Sequence, residues 1–176
     1  MCYAALAASI QGLPWNNVMK ENVLDVLTYM FESYFYEEAD TMFNRDTLLE
    51  ELIDVGFEHH NVEKAFNWLA DLPTSYDDFK FTSPDQISVR IYDDREAKKL
   101  DLQCQGYLSS LEQMGILTAA SRELIIDRVM ALETDEISIE QLRWLCLIVL
   151  YNISESDIPY SWLEDVIMDF SSAHIH

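Results

Sequence analysis

The stretch Leu142-Arg143-Trp144-Leu145-Cys146-Leu147-Ile148-Val149-Leu150-Tyr151 decides the architecture, because wound into a helix it is apolar on every side. A helix of that kind is buried all round. Arg143 and Asn152 bracket the run closely, and it falls well short of the ~20 apolar residues needed to cross a bilayer. It is therefore expected to be the central helix of a soluble core, with the remaining chain laid around it.

Composition agrees. Of 176 residues, 49% are hydrophobic and 12% aromatic, while glycine and proline number 4 each, a balance that favours helices over a turn-rich fold. The length is enough to bury an extensive interior as one cooperative unit. Asp and Glu total 32 against 11 Lys and Arg, a formal net charge of −21. A field of that sign repels phosphate backbones and anionic lipid at long range, so neither direct nucleic-acid contact nor a membrane surface is expected. Disorder is the other common meaning of strong acidity, and the aromatic and hydrophobic content argues against it. Cys2, Cys104 and Cys146 are odd in number and lack pairing or metal spacing, which points to a reduced, cytoplasmic setting.

Outward from the central run, capping signals and periodicity divide the chain. Residues 1–18 hold no charged side chain, and their short apolar run ends at Gly12 and Pro14 without the basic residues of a secretory signal. They read as an extension ahead of a domain starting at Met19. From Asn22 to about Tyr36, Val23, Val26, Leu27, Met30, Phe31 and Tyr34 recur at three and four residues, one helix face. Asn44 is placed to cap a second helix to Val55, with Gly56 at the left-handed position after it and Phe57 packing back. A third helix, from about Glu58 to Asp71, turns Val62, Ala65, Phe66 and Leu69 inward before Pro73.

Residues 19–72 thus form an amino-terminal helical lobe, and the polar segment 73–86 a linker lying against the body. Ile87, Val89 and Ile91 then alternate with Ser88, Arg90 and Tyr92, the mark of one short strand or extended segment. Asp93 with Glu96 makes a capping box that opens a long helix through Leu100, Cys104, Tyr107, Leu108 and Leu111 to Gly115, and Gly106 within it indicates close packing. Thr118 starts the next helix, with Leu124, Ile125, Val129 and Leu132 inward. Ser138 with Gln141 opens the central helix. Ser161 to Phe170 is a last amphipathic helix through Trp162, Leu163, Val166 and Ile167. The expected fold is all-α, about six to seven helices around the buried central one, with at most one short strand or small hairpin. Its lobes, 19–72 and 87–176, share one core.

Several spaced residues carry a family resemblance across nearly the whole chain after Met19. They are Leu27, Tyr29, Phe31, Glu32 and Tyr34; Gly56 and Phe57; Ala65, Trp68 and Leu69; then Ser88, Arg90, Ile91 and Tyr92. Gly106, Leu108, Leu111, Glu112 and Gln113 continue it. The densest run is Arg122, Glu123, Ile126, Asp127, Arg128, Met130, Ala131 and Leu132, followed by Leu142 and Trp144. In these residues the sequence resembles the bacterial Smg proteins, departing at Arg143, where lysine is usual, and in residues 1–18. The resemblance implies no established activity, cofactor or catalytic residue. It does imply a genetic context near DNA-processing proteins or a type I topoisomerase.

No nucleophile beside a base, metal spacing or cofactor loop is visible, so no catalytic, cofactor or metal residue is assigned. His59 and His60 are adjacent and would point about 100° apart on a helix, a poor arrangement for sharing a metal. They read as a solvated helix start, and His174 and His176 as a frayed terminus. Glu123 and Asp127 sit beside Arg122 and Arg128 and read as salt-bridged surface; Cys104 and Cys146 read as core. The two helices joined at Gly56 have helix-turn-helix spacing. Yet from Arg45 to Asp71 the only basic residues are Arg45 and Lys64, against Asp46, Glu50, Glu51, Asp54, Glu58, Glu63 and Asp71.

The expected function is a non-enzymatic cytoplasmic interaction module, monomer or small oligomer. Its acidic face, Asp46, Glu50, Glu51, Asp54 and Glu63, would meet a basic protein that handles nucleic acid. Basic residues concentrate between Lys80 and Lys99. Arg90, Arg95, Lys98 and Lys99 there either dock on acidic helices or form a small anion or partner site at the start of the long helix. Direct nucleic-acid binding through the hairpin or this basic cluster is the alternative.

Overall fold

In a computed structural model, residues 22–34, 45–72, 90–153 and 160–168 are described. Among them the secondary structure is helical throughout, without a strand: α1 (Val23–Tyr34), α2 (Arg45–Val55), α3 (His59–Ala70), α4 (Asp94–Lys99), α5 (Leu102–Gln113), α6 (Ala119–Met130), α7 (Ile139–Ile153) and α8 (Tyr160–Met168). Local chemistry explains most of the boundaries. Asn22 and Asp25 cap α1 reciprocally, each side chain accepting the other's backbone N–H, at 3.0 and 3.3 Å. Thr118 and Ser121 do the same for α6, and Ser138 and Gln141 for α7. Gly56 ends α2 at φ 108°. Its N–H donates to Ile53 O and that of Phe57 to Leu52 O, the paired bonds of a left-handed helix stop. Phe57 is buried, its ring edge-on to Tyr29.

The helix chosen from its composition is the hub. Leu142 and every residue from Leu145 to Leu150 are buried in α7, and α1, α5, α6 and α8 all pack against it. One hydrophobic cluster runs from Leu24 and Phe31 in α1 through Leu52, Trp68, Leu108 and Ile125 to Ile167 in α8. Phe31 meets Tyr151 edge-on at 6.0 Å, tying α1 to the end of α7.

The structure corrects several expectations. The long helix from Asp93 to Gly115 is two helices: Leu100 leaves helical geometry (φ −105°, ψ 101°), and Asp101 caps α5 by accepting the Cys104 N–H at 2.8 Å. Asp is among the best N-caps, so the helix restarts there. Gly106 is exposed, and a Cβ added to it would meet nothing within 4 Å, so it marks no close packing. Trp144 is only partly buried and Trp162 is half exposed rather than inward. Arg90 to Tyr92 are neither helix nor strand, within the expected bound of at most one short strand. The extension 1–18, the Asn44 cap, the linker 73–86, Ile87 to Val89, Phe170 and the two terminal histidines lie outside the described residues.

Candidate functional site

Asp46, Glu50, Glu51 and Asp54 on α2 and Glu63 on α3 are all exposed. Leu48 and Leu52 point to the core, which turns the carboxylates of α2 outward. His59 and His60 are exposed at the first turn of α3. α3 also meets the end of α6 and the turn after it. Trp68 Nε1 donates to Arg128 O at 3.1 Å, and Lys64 pairs with Glu133. Glu133, Asp135 and Glu136 in that turn are exposed as well. The Lys64 pair therefore joins α3, which carries Glu63, to a second acidic group 69 residues further along the chain.

Arg90, Arg95, Lys98 and Lys99 have different surroundings. Arg90 grips Glu96 with two 2.7 Å bonds and Glu123 with its Nε at 2.9 Å, stacking over Tyr92 at 4.7 Å. The Glu96 bonds raise its pKa despite burial, and the same bonds lower that of Glu96. Arg122 continues the chain, bonding Glu123 at 2.8 Å and both oxygens of Glu112 at 2.6 and 2.7 Å with its side chain only 6% exposed. Burial opposes its charge, but the bonds to Glu112 and Glu123 hold its pKa above the ordinary value. Lys99 is buried and donates to Leu132 O, while its own carbonyl accepts the Ile137 N–H. It thus stitches both ends of the α6–α7 turn to α4, and burial pushes its pKa down. Arg95 and Lys98 alone of the four are exposed. Sequence reasoning read Arg122 and Glu123 as salt-bridged surface and missed the linked chain Glu96–Arg90–Glu123–Arg122–Glu112. Its one local signal was the Asp93 and Glu96 capping box, present as expected.

Cys104 and Cys146 are buried, and desolvation pushes the Cys104 thiol up to about 12, an inert range. A small cavity of about 70 Å³ lies between the start of α1, Asn61 and the α6–α7 turn, with the buried Thr134 hydroxyl unpartnered beside it. Among the described residues no three His, Cys, Asp or Glu side chains are placed to hold a metal ion, and no helix is long and apolar enough to cross a membrane.

Residues 23–176 match the family described as "Protein of unknown function (DUF494)". The chain is 40% identical over 158 residues to the Protein Smg homolog of Thioalkalivibrio sulfidiphilus, covering 90% of this chain and 100% of that one. It is 42% identical over 159 residues to that of Nitrosococcus oceani, with the same coverage, and 45% identical over 146 residues to that of Stenotrophomonas maltophilia, covering 83% and 92%. This chain belongs to the Smg family. No solved structure matches it.

In this Smg-family chain, residues scattered through the resemblance come together in space. Arg90, Tyr92, Glu112, Arg122 and Glu123 meet in the ion chain that fastens the segment before α4 to α5 and α6. Arg128 and Trp68 meet at the end of α6. Inward placement of cations has an electrostatic result. Lys64, Arg90, Lys99, Arg122, Arg128 and Arg143 are buried or partly buried, leaving Arg45, Arg95 and Lys98 as the exposed cations among the described residues. Among the described residues the exposed charge is thus still more acidic than the composition.

Proposed function

We propose that this protein is a non-enzymatic, cytoplasmic interaction module whose acidic surface engages a basic protein partner. The carrying observation is the segregation of charge among the described residues: most cations turned inward into ion pairs and carbonyl contacts, most carboxylates outward. Asp46, Glu50, Glu51, Asp54 and Glu63 form the contact surface, extended by Glu133, Asp135 and Glu136 across the Lys64 pair. Opposite charge speeds and orients such an encounter more than it tightens it. A dense carboxylate array also competes with a phosphate backbone for a basic groove, which fits the DNA-processing context implied by the family resemblance. Direct nucleic-acid binding is less well supported, because Arg90 and Lys99 are already engaged and only Arg95 and Lys98 of the described cluster face solvent.

The test is affinity purification from the native host at low and high salt, repeated with Glu50→Lys/Asp54→Lys. A specific partner should enrich at low salt, weaken as screening shortens the field, and be lost on charge reversal. Enrichment of nothing, or of a partner indifferent to the reversal, defeats the reading.

A further inference from the structure

The outer face of α2 is not purely acidic. We infer that it docks a basic amphipathic helix of a partner protein, whose apolar side chains seat on Leu49 and Ile53 while its cations meet Asp46, Glu50 and Asp54. This inference rests on the acidic-surface reading and deepens it.

At 100° per residue, Asp46, Glu50, Ile53 and Asp54 fall within one arc of about 100° on the side away from Leu48 and Leu52. Ile53 is 39% exposed there, an isoleucine open to water amid carboxylates. Leu49, four residues earlier and half-buried, lies along its flank. Two apolar side chains four apart, edged on one side by Asp46, Glu50 and Asp54, are the counterpart of a helix reading i and i+4 with the opposite charge beside them; Arg45, four residues before Leu49, lies instead over the Phe66 ring at 5.3 Å. The 11 residues of α2 offer a contact of about 16 Å, enough for two to three turns of a partner. A second copy of this chain is a poor occupant, since the acids would then face their own equivalents. An extended polybasic peptide would satisfy the acids and leave Ile53 in water. A helix satisfies both, and a few buried apolar anchors carry most of the binding in such contacts.

The full chain would be titrated at low salt with a fluorescein-labelled leucine-lysine peptide of roughly 18 residues, long enough to form a helix. Its leucines would lie at i, i+3, i+4 and i+7. A permuted peptide of identical composition, without an apolar face, is the comparison. The amphipathic peptide should bind about tenfold more tightly than the permuted one or better, and Ile53→Ser should remove that advantage. Glu50→Lys/Asp54→Lys should weaken binding by a similar factor and gives a second readout if Ile53→Ser lowers stability. Glu140→Lys/Asp165→Lys, of the same net charge on α7 and α8, should change affinity little. Equal binding of both peptides, or indifference to Ile53→Ser, overturns the docking inference and leaves the acidic-surface reading standing. Equal loss from the two charge reversals also overturns it, because bulk charge would then be responsible. Binding of neither peptide sinks both.

Discussion

Replacing Arg122 with methionine tests whether the ion chain holds the segment before α4 together with α5 and α6. The substitution keeps the aliphatic stem and removes a guanidinium whose side chain is 6% exposed. Two bonds to Glu112, at 2.7 and 2.6 Å, and two to Glu123, at 3.0 and 2.8 Å, are lost. Breaking a buried pair by deleting one partner costs ~3–5 kcal/mol, chiefly through the uncompensated charge left behind. Here the orphaned carboxylates are about a quarter exposed, at 23% and 24%, and Glu123 retains Arg90 at 2.9 Å. Water and Arg90 recover part of the loss, so the expected destabilisation is about 2–4 kcal/mol, a large share of the ~5–15 kcal/mol typical of a domain. Urea unfolding followed by far-ultraviolet circular dichroism measures it, and Glu112→Gln with the double variant completes a thermodynamic cycle. The two sites should couple by about 1–3 kcal/mol. A loss below about 0.5 kcal/mol, the level of an exposed pair, or independent effects of the two substitutions would refute the network.

Further outcomes follow from the same geometry. Gly106→Ala, on an exposed helical surface with nothing near the added Cβ, should stabilise by about 0.5–1 kcal/mol. Gly115→Ala, equally unobstructed but at φ +74°, should destabilise by about 1–2 kcal/mol, so opposite shifts in melting temperature are expected from one chemical change. Leu145→Asp, at 0% exposure, should prevent folding altogether. Partly exposed Trp144→Ala should lose only about half of the ~3–5 kcal/mol of a fully buried aromatic and leave a measurable transition. Acid should loosen the segment before α4: Glu96 is held below its ordinary 4.5 by the Arg90 bonds. Its folded pKa is the lower one, so its contribution is full above that ordinary value and is lost as pH falls through the folded one. Glu96→Gln should therefore flatten the acid limb of a stability-against-pH curve, and an unchanged limb would show that the pair contributes nothing.

Short-range chemistry was legible without coordinates. The all-round apolar run Leu142–Tyr151 identified the hub, since a helix with no polar face has nowhere to go but the interior. Gly56, Gly115, Thr118 and Ser138 marked helix ends, because caps depend on residues within one turn. Family membership was legible too, in spaced identities that need no fold to be seen. Where two local signals competed, sequence reasoning failed: apolar periodicity ran on through Leu100, yet the side chain of Asp101 captured the Cys104 amide and restarted the helix. Trp144 and Trp162 were misjudged because apolar character does not say which flank of a helix a neighbour covers.

Tertiary structure alone decided the fate of the charges. Arg90 meets Glu123, 33 residues on, and Lys64 meets Glu133, 69 residues on, distances over which neither composition nor periodicity carries information. Of the basic residues expected either to dock on acidic helices or to form a small anion or partner site, Arg90 pairs with carboxylates and Lys99 is buried against a carbonyl. Among the described residues carboxylates outnumber cations, and most of them remained exposed. Net charge is a property of the chain, but which sign faces solvent is settled only when long-range packing chooses the partners.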